Sequence, residues 1–163
     1  MKLFTVIHDM HYKIAGWLHC ASPLVDLALR LWVADAFFRS GLVKIANMDS
    51  TLALFENEYH VPLLPPDFAA YLGTGIELVV PVILVLGLCG RLTAIFMFVY
   101  NAICVISYPD LWPNGFWTGL FGDAFKDHKI WGLMLLVTIV YGPGKLSVDY
   151  LLVKLFPKLQ PSS

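Results

Sequence analysis

Five ionisable side chains sit where a lipid-soluble stretch should carry none. The run L-R-L-W-V-A-D-A-F-F-R-S-G-L-V-K-I (Leu29–Ile45) holds Arg30, Asp35, Arg39 and Lys44 among apolar residues, and Glu77 interrupts the otherwise apolar 68–90. Acids and bases in such a setting do one of two things. They form an ion-pair network that fixes helix register, or they handle a proton or a ligand. Asp26/Arg30 and Asp35/Arg39 are each four apart, so each pair shares one helix face. The two pairs point about 180° apart at 3.6 residues per turn, which calls for an enclosed helix.

Depth counting brings further groups to the same layer. With the first helix leaving the membrane near Ala46, Arg39 lies ~10 Å below the surface, and Glu77 lies ~13 Å in from Phe68. Asn101 and Thr138 fall ~10 Å deep on the later helices by the same count. The candidate cluster is therefore Asp35, Arg39, Glu77, Asn101 and Thr138, with Tyr100 at its edge. A single guanidinium between two carboxylates leaves surplus negative charge, so one carboxyl could hold a proton. Lys44 is read as an edge residue that snorkels to the headgroups.

Other chemistry-bearing residues point less far. His60 and His128 flank acidic residues and are candidate metal ligands, with solvated loop histidines as the competing reading. Trp112, Phe116 and Trp117 belong to the aromatic run P-D-L-W-P-N-G-F-W-T-G-L-F-G-D-A-F (Pro109–Phe125). They suit an aromatic belt at the headgroups or a cover over a flat cofactor such as a quinone. The five histidines all fall outside the expected helix cores, which argues against a haem held between helices. Cys20, Cys89 and Cys104 are scattered and odd in number, so neither a disulfide framework nor a zinc motif is indicated. No phosphate-binding or hydrolase signature occurs.

The elements that must position these groups follow from hydropathy. Of 163 residues, 58% are hydrophobic and 14% charged, against about a quarter charged in soluble domains. That excess makes the lipid bilayer the expected solvent, and a net charge of −1 provides no field for nucleic acid. The expected fold is all-α, an integral membrane four-helix antiparallel bundle in one domain. Its spans cover 23–46, 68–90, 91–108 and 127–142, and the C-G-R turn makes the second and third antiparallel. Residues 1–22 form an interfacial amphipathic helix, with Leu3, Ile7, Met10, Ile14, Trp17 and Leu18 on one face. Residues 146–156 form a short C-terminal amphipathic helix. Lys2, Lys13, Arg91, Lys145, Lys154 and Lys158 outnumber bases elsewhere, so both termini should be cytoplasmic.

R-S-G-L-V-K-I (Arg39–Ile45), E-L-V-V-P-V-I-L-V-L-G-L-C-G-R (Glu77–Arg91) and Y-G-P-G-K-L-S-V-D (Tyr141–Asp149) resemble the DoxX family, over about Pro23 to Leu152. The resemblance implies a small bacterial inner-membrane protein associated with redox systems, and it marks Arg39 and Glu77 as functional candidates. E-N-E-Y-H-V-P-L-L-P-P-D-F-A-A-Y-L-G-T (Glu56–Thr74) is similar to a branch associated with modified metal-binding peptides. Three functions stay open. One is an auxiliary subunit that supports redox or metal-stress functions through protein partners. Another is a quinone-linked oxidoreductase component using the polar cluster as a proton relay. The third is a small-solute or metal permease acting as a homodimer.

Overall fold

The computed structural model describes residues 2–157, with side chains described for His8 and for 10–157. Helices account for nearly all of it, and no strand occurs among the described residues. The order is α1 (Lys2–Ala46), α2 (Met48–Asn57), α3 (Pro66–Leu86), α4 (Gly90–Ser107), α5 (Phe116–Phe121), α6 (Lys126–Tyr141) and α7 (Val148–Leu155), with a 3-10 turn at Pro109–Leu111 between α4 and α5. α3 and α4 are long and apolar enough to cross a membrane.

Each long helix turns one narrow stripe inward. On α1 the stripe is Arg30, Val33, Ala34, Phe37 and Gly41, alternating three- and four-residue steps. On α3 it runs through Ala70, Gly73, Thr74, Glu77, Pro81 and Leu84, and on α4 through Thr93, Ala94, Met97, Asn101 and Val105. The centre is Val33, Phe37, Leu84, Ala94, Met97 and Leu135. The outward faces are the more uniformly apolar ones, with Val79 and Val82 on α3, Leu92 and Val99 on α4, and Leu133 on α6 all exposed. Polar groups inside and aliphatic groups outside is the pattern of a chain dissolved in hydrocarbon.

The packing is antiparallel along both principal pairs. Arg30 meets Leu84 and Val85 while Gly41 meets Glu77, so α1 runs against α3. Arg91 meets Ile139 and Val140 while Asn101 meets His128, so α4 runs against α6. α1 also packs on α6, and α3 touches α4 less than either touches its main partner. The gap this leaves between α3 and α4 is where the site lies.

One end is closed by a polar clasp. Arg30, 1% exposed, donates from Nη1 to Leu84 O (3.2 Å) and Val85 O and from Nη2 to Leu146 O (2.6 Å). Asp149 accepts from the N–H groups of Cys89 (2.8 Å) and Gly90 (2.7 Å), so its carboxylate caps α4 from across the fold. Gly87 makes the turn at φ 65°, and a Cβ there would stand 2.5 Å from Ser147 Cβ, so only glycine fits. The G-P-G-K-L-S-V-D segment is thus a latch that holds three helix ends together.

Three elements differ from expectation. Residues 2–46 form one continuous helix that passes through Pro23, where a separate interfacial helix ending at 22 was expected. Met10, Ile14, Trp17 and Leu18 are exposed on it, while the side chains of Leu3 and Ile7 lie outside the described residues. The connection after Ala46 folds as α2, because Asn47 caps it by accepting from Ser50 N at 3.0 Å. Phe55 then packs on Ala69 and Ala70 of α3. The aromatic run after Pro109 contains α5, a helix of a turn and a half.

Candidate functional site

The site grows from three residues on three helices. Glu77 faces inward at the middle of α3 and is 3% exposed. Gly41 of α1 lies against it, and a Cβ on Gly41 would come within 3.0 Å of Glu77 Cβ. One turn further along α1, Lys44 reaches over this contact and donates to Glu77 Oε1 (2.7 Å) and Oε2 (2.5 Å) and to Ser40 Oγ (2.9 Å). Those bonds use all three ammonium hydrogens. From α4, the Tyr100 hydroxyl donates to Glu77 Oε1 at 3.0 Å and lies 3.3 Å from Gly73 O.

This polar group forms part of the wall of a cavity of about 460 Å³ between α1, α3 and α4, roofed by the α2–α3 connection. Small-molecule sites span about 300–1,000 Å³. The remaining lining is largely apolar and aromatic, with Phe37, Phe55, Tyr59 and Trp131 prominent. Phe37 holds Tyr100 and Trp131 at centroid separations of 5.9 and 5.3 Å, and Tyr59 stands edge-on to Phe55 at 4.9 Å. The His60 N–H donates to Ser107 O at 2.7 Å, tying the roof to the end of α4. Burial pushes the Tyr59 phenol up to about 12, which keeps the roof neutral. Ser107 also lines the cavity, and its buried Oγ has no hydrogen-bond partner among the described residues.

Hydrogen-bond capacity left over at the pole is uneven. Glu77 Oε2 accepts from Lys44 alone, so a lone pair stays open, and the Tyr100 oxygen can also accept. Ser40 accepts from Lys44, which leaves its own hydrogen to give. A ligand head carrying a hydroxyl therefore meets an ionised acceptor, the stronger kind of bond.

The expected layer is divided. Asp35 and Arg39 pair with each other at 2.8 Å, and their side chains are 59% and 75% exposed. They stand off the inward stripe, since Asp35 follows Ala34 by 100° and Arg39 follows Phe37 by 200°. Arg39 is thus not the base beside Glu77; Lys44 is. Asn101 is buried, but its partners are His128 O (2.9 Å) and His128 Nδ1 (2.8 Å) at the α4–α6 contact. Thr138 bonds back to Met134 O at 3.3 Å within α6.

The remaining candidates fall as follows. His128 is half-buried inside α6, edge-on to Trp131 at 4.8 Å, and lines the cavity, so it does not lie in a loop. His60 is exposed, with Nδ1 at 3.1 Å from Glu58 O. Among the described residues no three of His, Cys, Asp and Glu gather as a metal site. Trp112 gives its indole N–H to Val105 O at 2.9 Å, and Phe116 stacks on Phe125. Neither these two nor the exposed Trp117 lines the cavity, whose roof comes instead from Tyr59, Val61, Pro62, Leu63 and Leu64.

Lys44 was the residue that depth counting missed. The count ranked residues by Cα level, but four methylenes let the ammonium act a turn away from its own level. Thr138, ten residues past the His128 that meets Asn101, lies toward the Arg91 end instead. Gly41 was the available signal: a small residue on the stripe marks where a second helix comes close.

The DoxX family profile matches residues 25–108. An uncharacterized protein of Haemophilus influenzae is 32% identical over 133 residues, covering 80% of this chain and 85% of that relative. No solved structure matches this chain.

Proposed function

Because this chain belongs to the DoxX family of membrane proteins, we propose that it is a quinone-linked component of the bacterial inner membrane. In this reading α1 from Pro23, α3, α4 and α6 cross the bilayer, with both termini on the cytoplasmic side. The single observation that carries the proposal is an ion pair and a phenol set in the wall of an apolar, aromatic cavity. Intramembrane ionisable groups facing a cavity are functional by default, because hydrocarbon does not tolerate them otherwise.

The division of labour follows from the residues. Phe37, Tyr100 and Trp131 offer faces and edges to a flat ring. Glu77 accepts a hydrogen bond from a ring hydroxyl, and Lys44 fixes the carboxylate for it. Converting a quinol to a quinone releases two protons and two electrons. Glu77 takes one proton from a ring hydroxyl, the second proton leaves to water, and a partner protein bearing a redox centre receives both electrons, so this chain serves as an auxiliary subunit. The redox role is thus exercised through that partner.

Calorimetric titration of the purified chain with a short-chain benzoquinol, and with the matching quinone, tests this. Saturable binding is expected, with the quinol the tighter ligand. The neutral double variant Lys44→Met/Glu77→Gln should bind the quinol about tenfold more weakly, the loss of one charge-assisted bond. Absence of saturable binding by either form would refute the reading.

A further inference from the structure

We propose that the outward flank of α1 around Asp35 and Arg39 is the contact face between two copies of this chain. The argument rests on depth, exposure and charge. Gly41 is level with Glu77, the middle of the 21-residue α3, and Arg30 is level with its far end at Leu84 and Val85. Asp35 and Arg39 fall between Arg30 and Gly41 on α1, so they lie alongside a helix that is apolar enough to cross a membrane. Both side chains nevertheless point away from the packed helices.

Charged groups at that depth almost always face protein or a water-filled cavity. Nothing else in the described chain covers this pair, so the cover is a second molecule. Trp32 and Val43 are exposed on the same face, at helical spacing from Asp35 and Arg39. The flank is therefore an apolar strip with one acid and one base at its centre.

Self-complementarity selects the occupant. A twofold interface brings a patch against itself, so a patch of one sign repels its copy, whereas an Asp/Arg patch attracts it. Arg39 gives Nε–H to its own Asp35 at 2.8 Å, which leaves the other four guanidinium N–H groups for a second carboxylate. Helical side chains lean toward the N-terminus, so the Arg39 head returns to the level of Asp35. Two parallel α1 helices would thus bring both acids and both bases to one plane, each guanidinium bridging its own carboxylate and that of the second copy.

The proposal is independent of the cavity and its ligand. Its test uses the full chain in lipid membranes, with Cys20, Cys89 and Cys104 replaced by Ala. Oxidation should cross-link Val43→Cys into a dimer of the chain and leave Val79→Cys, on the exposed flank of α3, uncrosslinked. Arg39→Asp should weaken the dimer about tenfold or more in single-molecule photobleaching, with helicity unchanged, and Asp35→Arg/Arg39→Asp should restore it. Single-step photobleaching of the unaltered chain would overturn the proposal. So would cross-linking of Val43→Cys to a different protein, equal cross-linking at Val79, or charge reversal without effect.

Discussion

Removing Lys44 while keeping Glu77 is the most direct test of the site. In Lys44→Met the carboxylate stays where it is, 3% exposed, and loses the donor to both of its oxygens. Tyr100 remains as its one side-chain donor at 3.0 Å. Breaking a buried pair on one side costs about 3–5 kcal/mol, because an uncompensated charge is left behind. Glu77→Gln keeps the shape and one acceptor oxygen for the ammonium, so about 1.5–3 kcal/mol is expected. With both charges gone, Lys44→Met/Glu77→Gln should return to within about 1 kcal/mol of the parent, since a neutral replacement of a buried pair is often neutral. The cycle therefore yields a coupling of about 4–8 kcal/mol, close to the sum of the two single losses. Reversible unfolding by dodecyl sulfate in mixed micelles, followed by far-UV circular dichroism, measures all four variants. Additivity within about 0.5 kcal/mol would mean that the pair stands in water, and the description of a polar pole in an apolar cavity would fail.

Three other outcomes follow from the geometry. Gly87→Ala should destabilise by about 2–4 kcal/mol in the same assay, from the positive φ together with the Ser147 and Arg30 contacts; a loss below 0.5 kcal/mol would show the turn to be adaptable. Asp149→Ala should cost about 1–2 kcal/mol by removing the cap on Cys89 and Gly90, and unchanged stability would remove the carboxylate from the clasp. For Tyr59, a folded value of about 12 against an ordinary 10.0 means that the fold keeps a proton the unfolded chain loses. The parent's melting temperature should therefore hold up to pH 10 and fall from there to pH 12, and Tyr59→Phe should flatten part of that fall.

The long apolar segments were legible because hydropathy and the C-G-R turn leave few alternatives for α3 and α4. Glu77 was legible as a lone carboxylate in such a segment. Its partner was not, because Arg39 and Lys44 were ranked by depth and not by helix face. The inward stripe Arg30–Ala34–Phe37–Gly41 reads off the sequence once its small and apolar members are aligned, and Arg39 misses it by most of a half-turn. α2 was hidden by its short length and mixed composition, although Asn47 three residues before Ser50 is an N-terminal signal. The unbroken path through Pro23 was hidden for a different reason. Proline removes one backbone bond and normally ends a helix, and nothing local reveals that the helix continues past it.

Arg30 also sets a timetable for synthesis. Two of its acceptors come 54 and 55 residues later in the chain, and the third comes 116 residues later. At a translation speed of about 5–20 residues per second, the first two emerge after about 3–11 s and the third after about 6–23 s. Until then the nascent first helix carries a cation that hydrocarbon rejects. It must wait beside water or an insertion machine until α3 arrives, and Leu146 supplies the final acceptor only after α4 and α6 have followed.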